Sequence, residues 1–179
     1  MKCLMSVMLV LLIASLSLGY FSLEGGVVGH AASFEAPYSS EPWIAPGLSL
    51  AGLYEVSDRS TLGLTGEFAM TGLEEYAGLV TLDYRLAAFR SRNSAVQVGL
   101  AFGLLIHTIP EGEGLIRDWE PHLHLALGPR FVALGEISNR IDFKVSLATY
   151  FVGLYLSEYP STLPVVDYIS LGVSLAYVF

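Results

Sequence analysis

The chain has 179 residues, 53% of them apolar and 15% charged, against about 25% charged for an ordinary soluble domain, so a surface facing water all round is hard to build from it. A net charge of −8 with nine Lys and Arg in all excludes a basic nucleic-acid-binding face. The one cysteine, Cys3, lies near the start, which excludes a disulfide framework and a thiolate zinc site in whatever follows a leader.

Lys2 precedes an uncharged apolar stretch from Leu4 to Leu18. That stretch is shorter than the roughly 20 residues of a membrane-spanning helix and has the length and flanks of a signal-peptide core. Cleavage is expected after Gly19, preceded by Ser17, or after Ala31, preceded by Gly29. Cys3 precedes the apolar core, where a lipid-anchored leader would need it after. The expected organisation is therefore a signal peptide and processing region at 1–31, a periplasmic amino-terminal segment at 32–45 and a β-barrel at 46–179.

From about Pro46 the apolar period is two, the period of strands. Leu62, Leu64, Phe68 and Met70 alternate with small or polar residues, as do Val80, Leu82, Tyr84 and Leu86. Val96, Val98, Leu100, Phe102, Leu104 and Ile106 repeat the pattern, and Ile169 to Phe179 gives its clearest form. Turn chemistry at Ser57–Ser60, Thr71-Gly72, Arg90–Asn93, Gly128-Pro129, Ser138-Asn139 and Ser157–Pro164 divides the chain. About eight strands result: 47–56, 61–70, 75–86, 95–107, 120–128, 130–137, 141–156 and 166–179. The fifth and sixth are bounded by Pro121 and Pro129, and the seventh loses its alternation after Tyr150, as at a bulge. No window after the leader has helical spacing.

Side-chain volume decides which face is inside. Eight strands with four to six bulky residues each carry about forty large apolar groups on one face, whereas an eight-stranded barrel has an interior only wide enough for ordinary side chains to fill. The face rich in Gly, Ala, Ser and Thr fits a narrow lumen, and the apolar face must meet lipid. The expected fold is an all-β, antiparallel, up-and-down transmembrane barrel, whose closure satisfies every backbone hydrogen bond. Glu55, Glu67, Asp83, Arg85, Asp142 and Lys144 all fall on the small-residue face, where they can pair across the lumen or meet water. Tyr54, Tyr76, Tyr84, Trp119, Tyr155 and Tyr177 fall near strand ends, as interfacial girdles do, and Trp43 is expected to join them.

The ending Val173-Ser-Leu-Ala-Tyr-Val-Phe179 resembles the terminal strand of bacterial outer-membrane β-barrel proteins, with Leu171, Val173, Leu175, Tyr177 and Phe179 matching its alternation. With the leader and the strand count, the whole chain is similar to the small OmpA and OmpX type. The resemblance implies a bacterial outer-membrane location, outer-membrane lipids as surroundings and the barrel-assembly machinery as a partner that reads the last strand.

Candidate sites are few. His122 and His124 share a strand face with Glu120, a set of two imidazoles and a carboxylate that suits a divalent metal, with His107 a possible neighbour across strands; the simpler reading makes them polar lumen or interface residues, and no metal centre is assigned. Glu136-Ile137-Ser138-Asn139 resembles the His-x-Ser-Asn stretch of outer-membrane lipid A deacylases, but Glu136 stands where that family has its base histidine, and a serine without a base is a weak nucleophile. Ser138-Asn139 therefore reads as a turn. Arg90 and Arg92, in the turn after the third strand, are expected to be able to contact anionic lipopolysaccharide headgroups, and the acidic segment 110–114 reads as a solvated loop. No catalytic set, cofactor or nucleic-acid partner is expected. The preferred function is structural or surface-interacting and non-enzymatic; the alternatives are a narrow cation-preferring pore and a lipid-modifying enzyme. With both termini in the periplasm, 157–165 would lie outside and 108–119 inside.

Overall fold

The computed structural model describes residues 21–33, 43–71, 75–108, 122–155 and 166–179. Eight strands follow one another: β1 Phe21–Ser33, β2 Trp43–Ser57, β3 Ser60–Met70, β4 Tyr76–Arg90, β5 Ser94–His107, β6 His122–Ser138, β7 Ile141–Tyr155 and β8 Val166–Val178. Each pairs antiparallel with its neighbour in sequence, and β1 pairs with β8, as in Val27 against Val173, so the barrel is closed. Closure leaves no strand edge, which is what a hydrocarbon surround demands of backbone N–H and C=O groups. The strands run 11 to 17 residues, long enough for the roughly 9–11 that cross a bilayer core.

The period-two pattern sorts the side chains as volume requires. Among the described residues 36 large apolar side chains are exposed on the outer wall, including Leu48, Leu64, Leu82, Phe102, Leu147 and Leu171. The inward positions hold small, polar and charged residues together with some large apolar ones, among them Leu53, Leu79, Leu105 and Val132. A wall this apolar cannot face water and is matched only by lipid.

Three hairpin connections are tight: Ser57–Ser60, Arg90–Ser94 and Ser138–Ile141. They lie at one end of the barrel, called here the turn end, together with the start of β1 and the end of β8. The connections after β1, β3, β5 and β7 lie at the opposite loop end.

Two boundaries differ from the sequence reading. The barrel begins at Phe21, not Pro46: β1 occupies residues assigned to a processing region, and parts of β1 and β2 occupy the supposed periplasmic segment 32–45. A cut after Ala31 would remove 11 of the 13 residues of β1, whereas a cut after Gly19 leaves it whole. The leader itself lies outside the described residues. In addition, 120–128 and 130–137 are one strand, β6, with Pro129 inside it. Pro129 pairs with Leu100 of β5, while the β6–β7 ladder skips Gly128 and Pro129, so the missing donor is accommodated by an interruption on one side. Merging the two strands removes one crossing between 108–119 and 157–165, and both belong to the loop end. The lost alternation after Tyr150 coincides with a register shift at Leu125/Ala126, where Gly153 is the extra residue of β7.

Inward glycines mark where neighbouring strands approach too closely for a side chain. A Cβ on Gly128 would lie 1.7 Å from the Thr149 carbonyl oxygen, and one on Gly103 would lie 1.9 Å from that of Val80. Outward Gly135 would meet nothing.

Candidate functional site

Alternation aims Glu24, Glu67, Asp83, Arg85, Arg130 and Lys144, from five strands, into the lumen, where all six are buried. They form one connected network. Arg130 sits at its centre: Nη1 donates to Asp83 Oδ2 and to Thr65 Oγ1, both at 3.1 Å, and Nη2 donates to Glu67 Oε1 at 2.8 Å and to the Tyr150 hydroxyl. Asp83 also accepts from Arg85 Nη2 at 2.9 Å, from Thr65 Oγ1 at 2.6 Å and from Thr81 Oγ1 at 3.1 Å. Arg85 Nη1 lies 3.9 Å from Glu24 Oε2, and Glu24 accepts from Lys144 Nζ at 3.1 Å and Ser174 Oγ at 2.6 Å. At the other side Ser170 Oγ donates to Glu67 Oε2 at 2.9 Å.

Three carboxylates thus face three cations. Isolated charges buried this deeply would be very costly, and pairing with several hydrogen bonds per group is what makes their burial tolerable. Toward the loop end the lumen turns apolar, filled by Trp43, Leu79, Leu105, Tyr150, Val152 and Tyr168 among alanines. His30 packs there against Tyr168, ring centroids 5.1 Å apart, with its Nε2 3.7 Å from Glu67 Oε2.

Glu67, Asp83, Arg85 and Lys144, placed on the lumen face by the sequence, are brought together here. Glu55 and Asp142 stay at the turn-end rim, one exposed and one half-buried. Glu24 and Arg130 were missed. Glu24 belongs to the strand beside the expected leader, and Arg130 follows a proline, a residue that ordinarily ends a strand; the usable signal is that each has the inward parity of its strand.

Tyr54, Tyr84 and Tyr177 are exposed on the outer wall toward the turn end, as a girdle requires. Trp43 departs from expectation: it is buried, and its Nε1 donates to Thr71 Oγ1 at 3.4 Å. Trp119 and the Tyr155 side chain lie outside what is described. Arg90 and Arg92 lie at the turn end, where Arg90 Nη1 donates to the Asp58 carbonyl. Ser138 ends β6 and Asn139 lies in the turn that follows.

At the loop end, His107 of β5 and His124 of β6 are buried with their Nε2 atoms 2.8 Å apart. His122 stands opposite His107 in the β5–β6 ladder. Glu120 and the 110–114 segment lie outside the described residues.

A closed eight-stranded barrel, apolar outside and charge-paired inside, is a transmembrane β-barrel of the bacterial outer-membrane kind. Solved structures agree on the fold. Neisserial surface protein A superposes with a TM-score of 0.68 at 10% identity, over 89% of this chain and 97% of that one. OprG from Pseudomonas aeruginosa gives 0.58 at 13% identity, over 89% and 95%. Ail, the attachment invasion locus protein of Yersinia pestis, gives 0.56 at 12% identity, over 89% and 97%. No family model and no curated protein matches the chain.

Proposed function

We propose that the protein is a non-conducting, non-enzymatic barrel with a structural or surface-interaction role, acting through its loop end and outer wall rather than through its lumen. The observation that carries this reading is the six-residue charge network spanning the lumen from Lys144 through Arg130 to Glu67. Its carboxylates are engaged by cations and hydroxyls, which supports a plugged lumen over an ion path. In this reading the turn end faces the periplasm and the loop end faces outward. The loop-end connections carry nine of the seventeen carboxylates and a single cation, Arg117, which favours cationic or cation-bridged partners over bare anionic ones.

Planar-bilayer recording of the refolded protein tests the plug. Inserted protein is expected to stay silent. A steady cation-selective current that changes with Glu67→Gln or Asp83→Asn would overturn the reading in favour of a narrow pore.

The last strand is proposed to engage the barrel-assembly machinery. Phe179 packs against Phe21 and Tyr177, with centroids 6.2 Å and 5.0 Å away. Deleting Phe179 is expected to slow assembly in cells severalfold while in vitro refolding into detergent is largely kept. Equal effects in both settings would mean that Phe179 serves the fold alone.

A further inference from the structure

Among the described residues every exposed Lys or Arg lies at the turn end. Arg59, Arg90, Arg92 and Arg140 sit in or beside the three tight turns, whereas Arg85, Arg130 and Lys144 are buried in the lumen. Arg140 differs from the other three in what it touches. Its Nη1 donates to the Tyr177 hydroxyl at 3.2 Å, and among the described residues it makes no ion pair. Tyr177 stands on the outer wall, 40% exposed and edge-on to Phe179 with ring centroids 5.0 Å apart. From there toward the middle of the barrel the β7–β8 ladder carries an unbroken apolar strip. Ile141 faces Tyr177, Phe143 faces Leu175 and Val145 faces Val173, all six of them exposed. A guanidinium thus caps a strip of wall that is matched only by hydrocarbon.

We infer that Arg140 and Tyr177 bind the phosphate of an anionic glycerophospholipid whose acyl chains lie along the β7–β8 wall. The ligand that fits is anionic at one end and apolar along the rest; a free phosphate or an acidic glycan would leave the strip unmatched. Arginine offers phosphate a planar fork of donors, and with Nη1 on the hydroxyl the Nε and Nη2 donors of Arg140 are left for the headgroup. Tyr177 accepts that bond, so its own O–H remains as a second donor beside the first. The long arginine stem can lie along apolar wall while its head stays at the polar interface, the level at which girdle aromatics sit. The carboxylates of this end do not oppose the contact. Glu55, Glu136 and Asp142 have the lumen-facing parity of Leu53, Val132 and Lys144, and Asp58 belongs to the β2–β3 turn. Which leaflet supplies the lipid rests on the orientation proposed above; the headgroup contact itself does not.

The test is native mass spectrometry of the tag-free, refolded barrel released from nanodiscs of equal parts phosphatidylglycerol and phosphatidylcholine with identical acyl chains. The adduct carrying one lipid is expected to favour phosphatidylglycerol by roughly threefold or more, as one well-placed arginine at a lipid surface allows. Arg140→Gln should bring that ratio close to one. Tyr177→Phe, which keeps the ring and loses the hydroxyl, should fall between. Arg92→Gln removes the same charge from another turn and should leave the ratio unchanged. Glycerol phosphate in excess, a headgroup without chains, should not displace the lipid. The exchanged side chains are exposed, and circular dichroism confirms that each variant keeps its sheet. No phosphatidylglycerol preference in the wild type overturns the proposal. So does a loss with Arg92→Gln equal to that with Arg140→Gln, which would mean diffuse attraction to the turn end, and so does displacement by glycerol phosphate, which would mean a site for free phosphate. A conducting lumen would change none of these results.

Discussion

Replacing Arg130 with leucine is expected to lower the unfolding free energy by about 3–5 kcal/mol, the usual cost of removing one partner from a buried ion pair. The guanidinium reaches Asp83, Thr65, Glu67 and Tyr150 from one centre. Without it, Glu67 and Asp83 remain in the lumen with only Ser170, Thr65, Thr81 and Arg85 as donors. Arg130→Lys should recover only part of the loss, because an ammonium is a point charge and cannot reproduce the planar fork that spans two carboxylates. Pairing Arg130→Leu with Glu67→Gln should cost less than the two single changes added together, since the second removes a charge that the first leaves stranded. Urea titration of the folded barrel in lipid, followed by tryptophan fluorescence, measures the wild type and the four variants. A loss below about 1 kcal/mol for Arg130→Leu, in the range of an exposed pair, would mean that water fills the lumen and screens these charges. The closed-plug reading would then fall with it.

The outer wall gives the second large effect. Leu82 sits near the middle of β4, opposite Leu64 and Phe102, and is 52% exposed. Leu82→Arg is expected to destabilise the barrel in a bilayer by about 2–4 kcal/mol, while Tyr54→Arg, nearer the rim, should cost about 0–1 kcal/mol. The depth dependence is the signature. On a water-facing wall an exposed leucine could be charged with a change of roughly 0.5 kcal/mol or less, and the two positions would not differ. Equilibrium unfolding from liposomes separates these outcomes, and equal small effects at both positions would contradict a membrane-spanning wall.

The strand nature of β2 to β5, β7 and β8 was legible because alternation is a local steric fact: successive side chains point to opposite faces whatever the rest of the chain does. Side-chain volume then fixed which face meets lipid, and the charges on the small-residue face predicted a lumen network before any partner was known. β1 was harder to see. Its run Phe21–Ser33 is glycine-rich, carries only Leu23 and Val27 as large apolar residues exposed on the wall, and follows an apolar stretch that reads as a leader and explains apolar residues in another way. Pro129 misled in a different manner. A proline ordinarily ends a ladder, and only the pairing on both sides of β6 shows that one side can be interrupted while the other continues.

By itself, then, the sequence determined an all-β chain of about eight strands with an apolar outer wall and a narrow lumen lined by small and charged residues. Tertiary structure alone decided which residues meet. Ser174 reaches Glu24 across 150 positions, Arg130 reaches Glu67 across 63, and His107 of β5 reaches His124 of β6 across 17. The reason is that alternation sets only the face on which a residue lies. Its height in the barrel and its partner across the lumen follow from register and closure, which belong to the whole sheet.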